Sequence, residues 1–569
     1  MLVARHVRRF RGAQVVLDDV SMTIGPSSRI GVVGPNGIGK STLLRVLAGT
    51  EEPDSGTVER SPRTMTVGYL PQETDAQEAE TLLGYLARRT GVAAAEAELD
   101  RLTQLLERRG GDDPEVLGRY SEALEVFVAL GGGDLAARVG EVCAQVALPA
   151  DRLQVAVTEL SGGQQARAAL AAILLARFDV LLLDEPTNDL DFDGLDMLEG
   201  FLGATPAAVV AVSHDRAFLD HVVRRIVELE EESHRAVEYA GGWTELVAAR
   251  RLRRHHQEEA HRSNQEERAR LTERLRTQVS WSEKGVRAEK RKPRDPDKAQ
   301  RKTRADRTER QASKVQATER KLAQLGEAEK PWEGWDLRLR LAAGRRSGDV
   351  VARLHDAVVE RGSFRLGPVD VEVGWRERVA FTGPNGCGKT TLIRALVGGL
   401  EVASGGKYLG PGVVVGDMDQ ARSLAEDPEE VLLPAFCRRT GLLPEEARTL
   451  LAKFSLAADQ VERRWRLLSP GERSRAMLAA LAARPVNCLV LDEPTNHLDL
   501  AAIEQLEEAL AGFDGTLLLV SHDRRMLENV GLSRTIDVGA LPRTHGRGDE
   551  GRPASPAAPA ARARARNGA

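Results

Sequence analysis

Three motifs occur twice in this chain of 569 residues, and they follow the same order in both copies. Gly-Pro-Asn-Gly-x-Gly-Lys-Ser/Thr-Thr begins at Gly34 and again at Gly383, and Leu-Asp-Glu-Pro-Thr-Asn begins at Leu183 and Leu491. A third motif, Val-Ser-His-Asp-Arg, follows the other two in each copy and begins at Val212 and Val520. Because a repeated set of motifs indicates a repeated domain, the sequence predicts two copies of one α/β unit.

The spacing of the motifs shows where the two copies differ. Lys389 follows Lys40 by 349 residues, whereas Asp492 follows Asp184 by only 308, so the first copy carries about 40 extra residues. The similarity of 87–91 to 437–441 narrows this insert to 94–133. Its pattern predicts two helices, 99–109 and 114–130, around a glycine turn, with a return hinge at 131–133. A helical extension without a role of its own is the alternative, because long insertions cost little stability.

Each glycine-rich motif is typical of a loop that binds phosphate. It follows an apolar strand, 30–33 or 379–381, and precedes an apolar helix, which is the context that a P-loop requires. Backbone N–H groups and the helix N-terminus would surround the phosphates, the lysine would reach the terminal ones, and the Ser or Thr after it would ligate Mg²⁺. The candidate residues are Gly34, Pro35, Asn36, Gly37, Ile38, Gly39, Lys40, Ser41 and Thr42, and Gly383, Pro384, Asn385, Gly386, Cys387, Gly388, Lys389, Thr390 and Thr391.

An acidic pair ends a second apolar strand in each copy. Asp184 and Asp492 are predicted beside Mg²⁺, and the next residues, Glu185 and Glu493, are candidates to polarise the attacking water. A structural ion pair is the alternative, but two carboxylates at the end of a buried strand are costly without a cation.

Leu160-Ser161-Gly162-Gly163-Gln164-Gln165 is absent from ordinary P-loop enzymes and resembles the signature of ATP-binding cassette (ABC) proteins. The sequence after it predicts a helix over 165–176. The resemblance implies that each signature completes the ATP site of the opposite cassette. One site would join 34–42 with Ser469 and Gly471, and the other would join 383–391 with Ser161 and Gly163. It also implies Q-loop ligands of Mg²⁺ at Gln72 and Gln420, D-loops at Asp191 and Asp499, and switch histidines at His214 and His522.

Two features depart from that pattern. The second signature has Pro470 in place of the usual first glycine, which suits the first turn of a helix but makes unequal sites more plausible. The first D-loop has Asp189 where the second has His497. Phe10 and Phe364 are upstream candidates to stack on adenine, with a core role as the alternative.

A long charged segment separates the two cassettes. It predicts two helices, 245–291 and 297–325, with a break at the Lys-Pro-Arg-Asp-Pro sequence that begins at Lys292. Residues 281–310 hold 12 Lys or Arg against 6 Asp or Glu, although the whole chain has a net charge of −5. A solvated charged face is the usual meaning of such a run, but a rod with a cationic tip also suits contact with a phosphate backbone.

Twin cassettes, a charged interdomain hairpin and an insert before the first signature together resemble the ABC-F family. The predicted fold class is therefore α/β, with two ABC-type P-loop ATPase domains, helical subdomains and a long charged helical hairpin. The predicted domains are 1–243, 244–345 and 346–540, followed by a disordered tail at 541–569 that is rich in Ala, Pro, Arg and Gly.

The resemblance implies an ATPase that needs ATP and Mg²⁺ and binds the ribosome at the exit-tRNA site. Its hairpin tip, 280–304, would face rRNA and the P-site tRNA, and the insert would approach the flank of the ribosome. Some relatives protect high-GC bacteria against macrolide-type antibiotics. A cytoplasmic protein is expected, because four scattered cysteines do not form a disulfide or metal pattern and no apolar run reaches the length of a membrane span. A monomer is expected from the resemblance, since the two cassettes of one chain would pair with each other.

Two other classes are weighed against this interpretation. The ATP-binding subunit of a drug exporter with separately encoded membrane subunits would share the cassettes, but it has no evident use for the hairpin. A DNA-repair ATPase would be expected to show zinc-ligand cysteines or a much longer coiled coil.

Overall fold

The computed structural model describes residues 1–545 except 13, 63, 72–76, 78, 109–112, 291–312, 314, 326–344, 363, 418–423, 425–426, 455, 484 and 497. For 281–290 and 470 only the backbone is described. The chain forms two compact units, Met1–Glu238 together with Leu337–Ala569, and Tyr239–Asp336. The first unit contains both copies of the duplicated domain.

The first cassette combines a parallel sheet with a smaller antiparallel sheet. The parallel sheet has the strand order β5-β6-β7-β3-β8-β9 and the antiparallel sheet has the order β2-β1-β4. The central strands of the parallel sheet, β6 and β7, are buried on both faces, which explains their continuous runs of Val, Leu and Ala. The strands are β1 Leu2–Arg11, β2 Gln14–Ile24, β3 Arg29–Val33, β4 Ser55–Arg60, β5 Val67–Leu70, β6 Val180–Asp184, β7 Ala208–Val212, β8 Arg225–Leu229 and β9 Ala236–Ala240.

Helices of the first cassette surround this sheet or form the subdomain that precedes the signature. They are α1 Lys40–Ala48, α2 Leu82–Arg89, α3 Val92–Arg108, α4 Pro114–Ala129, α5 Leu135–Gln145, α6 Gly162–Leu175, α7 Phe192–Ala204 and α8 Arg216–Val222.

The second cassette repeats this plan. Its parallel sheet has the order β14-β15-β16-β12-β17 and its antiparallel sheet the order β13-β10-β11-β18. The strands are β10 Val350–Arg361, β11 Phe364–Gly374, β12 Arg378–Thr382, β13 Ser404–Leu409, β14 Val415–Asp417, β15 Cys488–Asp492, β16 Thr516–Val520, β17 Arg534–Asp537 and β18 Arg543–His545. The helices are α10 Lys389–Leu396, α11 Leu432–Thr440, α12 Pro444–Lys453, α13 Ala458–Val461, α14 Pro470–Ala482, α15 Leu500–Ala511 and α16 Arg524–Asn529.

The helix after each P-loop lies in the hydrophobic core between the two sheets. In the first cassette Leu43, Leu44 and Leu47 of α1 are fully buried, in one cluster with Leu17 of β2 and Val210 of β7. Burial of one such leucine contributes about 1.5–3 kcal/mol. The strand, the loop and the helix are therefore held on a rigid base, as a phosphate site needs. These sheets and helices confirm the predicted α/β class.

The insert of the first cassette forms two helices, as predicted, but the first of them begins earlier than expected. Helix α3 starts at Val92 rather than at residue 99, because 92–98 is a good helix-forming run that continues the chain without a break. Asp113 caps α4 through the backbone N–H groups of Glu115 and Val116. Leu117, Leu124 and Val128 on α4 are exposed.

The linker unit, taken by itself, contains helix α9, Trp243–Lys290, and a second helical stretch at 315–324. Asn264 donates to the carbonyl of Leu325 (3.2 Å), and Thr318 donates to the side chain of Gln278 (2.9 Å). The second stretch thus runs antiparallel to α9, which confirms the predicted hairpin. Its predicted break at Lys292 and most of its tip lie outside the described residues, as does the tail beyond 545.

Helices long and apolar enough to cross a membrane were sought among the described residues, and none was found.

Candidate nucleotide sites

Both predicted P-loops connect a buried strand to a helix that begins at the motif lysine. The amine of Lys40 donates to the carbonyls of Gly34 (2.8 Å) and Pro35 (3.2 Å), and that of Lys389 does the same within its own loop. Each lysine therefore folds back over its loop, toward the space that the backbone N–H groups enclose. Burial lowers the pKa of Lys40, an effect opposed by Glu185, Asp499 and Asp184.

A glycine in the left-handed region precedes each of these helices. Gly39 has φ 111° and Gly388 has φ 102°, which other residues rarely adopt. A Cβ at Gly39 would lie 2.6 Å from Val16 Cγ1, and one at Gly388 would lie 2.7 Å from the ring of Phe364. Phe364 thus packs against the second P-loop, while Phe10 is exposed on β1.

The candidate Mg²⁺ ligands meet at the carboxyl ends of strands β6 and β15. Thr390 donates to Asp492 (2.5 Å). Burial raises the pKa of Asp184, and a hydrogen bond from Ser41 opposes this effect. Among the described groups, Asp184 Oδ1 is buried without a hydrogen-bond partner. A buried carboxylate oxygen left open beside a hydroxyl is a donor set that suits Mg²⁺. Gln72 and Gln420 lie outside the described residues.

The two glutamates that follow these aspartates are in a strained conformation. Glu185 has φ 52° and Glu493 has φ 45°, although neither is glycine. The backbone N–H of each glutamate donates a 2.9 Å hydrogen bond to a carbonyl of the neighbouring strand, Val212 or Val520. These bonds hold the strained turns in place. Burial raises the pKa of each glutamate to about 7, against the opposing effect of the P-loop lysine. Backbone strain and a perturbed pKa together mark functional carboxylates.

Each switch histidine lies against its glutamate. His214 Nε2 is 3.1 Å from Glu185, and His522 Nε2 is 3.5 Å from Glu493 and 3.0 Å from the amine of Lys389. Burial lowers the pKa of His214 well below its usual value, and burial with Lys389 lowers the pKa of His522 to about 4. Both rings are therefore neutral at physiological pH, so each can accept or donate through Nε2.

Each signature serine caps the helix that follows it. Ser161 accepts from the backbone N–H of Gln164 (3.4 Å), and Ser469 accepts from that of Glu472 (3.2 Å), with a reciprocal side-chain bond in both cases. Helix α6 therefore begins at Gly162, not at residue 165 as predicted, because this capping box adds a turn. Gly163 and Gly471 lie in the first turns, where N–H groups point outward.

The second P-loop contacts the first cassette directly. The backbone N–H of Asn385 donates to the carboxylate of Asp191 (2.9 Å), and its amide donates to the carbonyl of Asp189 (2.6 Å). A Cβ on Gly163 would lie 3.6 Å from the Cβ of Asn385. The signature and D-loop of the first cassette thus face the second P-loop. A cavity of about 1300 Å³ between them is lined by residues of both cassettes, including Ser161 and Glu493.

The first P-loop also approaches the opposite cassette. Burial lowers the pKa of Lys40, and the negative charge of Asp499, in the second D-loop, acts in the opposite direction. The position of Ser469 at the start of α14 matches that of Ser161 at the start of α6. The structure therefore brings the P-loop, acidic and switch residues of each cassette together, and it places the D-loops across the pseudo-symmetric interface.

Some residues near these sites were missed by sequence reasoning. The hydroxyl of Tyr69 donates to Asp184 (3.1 Å). Burial raises the pKa of this tyrosine, and the negative charge of Asp184 raises it further. Arg216 forms a buried ion pair with Glu507 of the other cassette. The available signal for Arg216 was its place as the last residue of the repeated Val-Ser-His-Asp-Arg motif, but its partner is 291 residues away.

Comparison with known proteins agrees with this geometry. The family model described as ABC transporter matches residues 17–188 and 366–496. The fold is similar to the archaeal ribosome recycling factor aABCE1 in complex with the stalk protein aP1 (TM-score 0.56, 20% identity, 93% of this chain and 86% of that one). It is also similar to an RNase-L inhibitor (TM-score 0.53, 20% identity, 93% and 86%). The fold and the site thus define a twin-cassette P-loop ATPase that hydrolyses ATP.

Sequence relatives narrow the class. The tylosin resistance ATP-binding protein TlrC of Streptomyces fradiae is 36% identical over 90% of this chain and 93% of its own length. The energy-dependent translational throttle protein EttA of Mycobacterium tuberculosis is 33% identical (92% and 89%), and the ABC transporter F family member 5 of Arabidopsis thaliana is 30% identical (94% and 74%). The chain belongs to the F family of ABC proteins.

Proposed function

We propose that this protein binds the ribosome near the exit-tRNA site and acts on translation in the cytoplasm, as a monomer whose two cassettes close on ATP. The observation that carries the proposal is the pairing of a cross-cassette nucleotide site with a cationic helical hairpin in one chain. The site gives ATP control of cassette closure, and the hairpin gives a surface for a polyanion.

The charge of the hairpin favours a nucleic-acid partner. Helix α9 holds 12 Lys or Arg against 8 Asp or Glu, and residues 281–310 hold 12 against 6. Long-range attraction to phosphates is the main source of sequence-independent RNA affinity, and it weakens steeply with salt. We therefore assign 280–304 to contact with rRNA and the P-site tRNA, and the insert at 94–133 to the flank of the ribosome.

The names of two relatives support a role in translation and in antibiotic resistance. One relative is a translational throttle protein and the other a tylosin resistance protein, and both cover about nine-tenths of this chain. We extend the proposal to protection of the ribosome against macrolide-type antibiotics. Since tylosin is such an antibiotic, it is the first compound to test.

Within each site we assign the roles from the geometry. The P-loop lysines bind the terminal phosphates, and the opposite signature helices, beginning at Ser161 and Ser469, donate backbone N–H groups to the same nucleotide. Glu185 and Glu493 orient the attacking water and accept its proton, and the Nε2 atoms of His214 and His522 lie against these carboxylates at 3.1 Å and 3.5 Å.

The hydroxyls of Ser41 and Thr390, the carboxylates of Asp184 and Asp492, and by resemblance Gln72 and Gln420, would hold Mg²⁺. When bound, the ion neutralises charge on the β- and γ-phosphates. The residues that this chain contributes fit such an ion, because Asp184 has a buried oxygen that no group in the described part of the chain hydrogen-bonds.

Co-sedimentation tests the ribosome proposal. The variant Glu185→Gln/Glu493→Gln keeps the shape of both sites but slows hydrolysis, typically by a factor of 10² or more. It should therefore accumulate on 70S ribosomes in ATP. The control Lys40→Ala/Lys389→Ala, which should lose ATP binding, should stay at the top of the gradient. If the glutamine variant also stays at the top, the ribosome proposal is wrong, and co-purification of a permease would instead support an exporter subunit.

Expression in a tylosin-sensitive bacterium tests the resistance proposal separately. The wild-type chain should raise the inhibitory concentration of tylosin at least fourfold by this account, whereas the lysine double variant should not. An unchanged inhibitory concentration, together with ribosome binding in the first experiment, would leave a translation factor without a resistance role.

A further inference from the structure

Phe192 of the first cassette reaches the switch histidine of the second. Its ring lies 5.2 Å from that of His522, centroid to centroid, with an angle of 73° between the planes. This edge-on arrangement is the one that aromatic pairs prefer. Phe192 is half-buried and is the first residue of helix α7, directly after the D-loop.

Asp191 fixes the position of this ring. One of its carboxylate oxygens caps α7 by accepting from the backbone N–H of Gly194 (3.0 Å), and the other accepts from the backbone N–H of Asn385 (2.9 Å). The first turn of α7 is therefore bound to the second P-loop. Since Phe192 follows Asp191 directly, its ring is delivered to His522 whenever the two cassettes meet.

His522 depends on its surroundings for its orientation. Its Nε2 faces Glu493 (3.5 Å) and Lys389 (3.0 Å), while its Nδ1 is buried with no hydrogen-bond partner among the described groups. The polar contacts of the ring are therefore confined to Nε2, about which the ring can still tilt. Packing must then set the ring angle, and Phe192 is an aromatic neighbour in the right place.

The two halves of the molecule differ at this point. The residue that matches Phe192, displaced by 308 positions like the acidic and switch motifs, is Leu500. Leucine follows Asp499 as the first residue of α15, so the second D-loop is followed by an aliphatic side chain where the first is followed by an aromatic ring. The contact is therefore a property of one site.

We propose that Phe192 is a positioning residue supplied in trans, which holds His522 against Glu493 and so supports hydrolysis at the second P-loop alone. This proposal rests on the proposed function, because it takes Glu185 and Glu493 as the groups that act on water. The contact between Phe192 and His522 contributes to turnover at the second P-loop rather than to ATP affinity at both sites.

The experiment isolates one site at a time. In a Glu185→Gln background, where turnover comes from the Glu493 site, Phe192→Leu should lower kcat about three- to tenfold and change KM for ATP less than twofold. The leucine is the residue that the other half of the chain has at this position. Phe192→Tyr, which keeps the ring, should retain most of the activity.

The same substitution in a Glu493→Gln background is the matched control. There turnover comes from the Glu185 site, and Phe192→Leu should leave kcat within a factor of about two. Equal losses in both backgrounds would mean a general packing role and would overturn the proposal, as would no loss in the Glu185→Gln background. If neither glutamine substitution alone lowers turnover, the assignment of the glutamates fails instead.

Discussion

At the residue scale, the glutamates of the two sites are held in a strained backbone conformation and in a buried environment that raises their pKa. Glu185 and Glu493 combine a left-handed backbone, burial and a pKa raised to about 7. All three features recur in the two cassettes at matching positions. Strain of this kind persists only where the surrounding structure enforces it, so the duplicated geometry supports a functional role for each glutamate.

Asp215, next to the first switch histidine, carries a testable pH dependence. It caps α8, and burial raises its pKa to about 6, with the nearby Asp523 acting in the same direction and Arg524 opposing. Since its folded pKa lies above its unfolded value of 3.8, ionised Asp215 costs stability above pH 6, and that cost fades as pH falls toward 4.

Asp215→Asn keeps the capping oxygen and removes the buried charge. It should stabilise the protein by about 3 kcal/mol at pH 8 and by about half of that at pH 5. Thermal unfolding of both proteins at the two pH values measures the difference. An equal gain at both values, or a loss at pH 8, would contradict the raised pKa.

At the element scale, the P-loop depends on a glycine that caps its helix. Gly39→Ala should abolish nucleotide binding at the first loop, because the new Cβ would meet Val16 and the backbone would keep φ 111° only under strain. Titration with a fluorescent ATP analogue should then show binding at the second loop alone. Gly203→Ala on helix α7, where the Cβ meets open space, is the control and should leave both sites intact. Full binding by Gly39→Ala would show that the loop tolerates a side chain.

How far the sequence predicts these elements depends on the range of the interaction. Strand, loop and helix around Lys40 and Lys389 follow from local pattern, since apolar runs and glycines define them within about 20 residues. The predicted start of α6 at residue 165 is wrong, because the capping box of Ser161 and Gln164 extends the helix to Gly162. The partners of Arg216 and Phe192 could not be predicted, because they are about 300 residues distant and depend on how two domains dock.

At the scale of the whole molecule, two ion-pair clusters join the cassettes in a pseudo-symmetric way. Arg216 pairs with Glu507 and Asp523, and the matching Arg524 pairs with Glu199 and Asp196. The side chains of Arg216 and Glu507 are only 4% and 8% exposed, whereas Asp196 is 71% exposed. The first cluster is buried, whereas the second is partly exposed, with Arg524 at 24% and Glu199 at 16% exposure.

This difference predicts unequal effects of truncation. Arg216→Ala leaves a buried carboxylate without its partner and should destabilise the protein by about 3–5 kcal/mol. Arg524→Ala removes a partly exposed pair, whose remaining carboxylates can reach water, and should cost less, about 1 kcal/mol. Chemical denaturation of both variants measures the contrast. Equal effects would mean that the cassettes are separated in solution, with both arginines in water.

The central claim is that one cassette's P-loop faces the other cassette's signature. Gly163→Cys/Asn385→Cys, in a chain with Cys387→Ser, tests it directly, because the Cβ atoms would be 3.6 Å apart, within the range of a disulfide. Mild oxidation, followed by proteolysis within the linker and peptide mass spectrometry, should find the two cassettes joined within one chain. Gly162→Cys in place of Gly163→Cys, where the Cβ meets open space, should cross-link far less. If the cassettes separate after oxidation of the first variant, the two halves do not form a shared site and the account is contradicted.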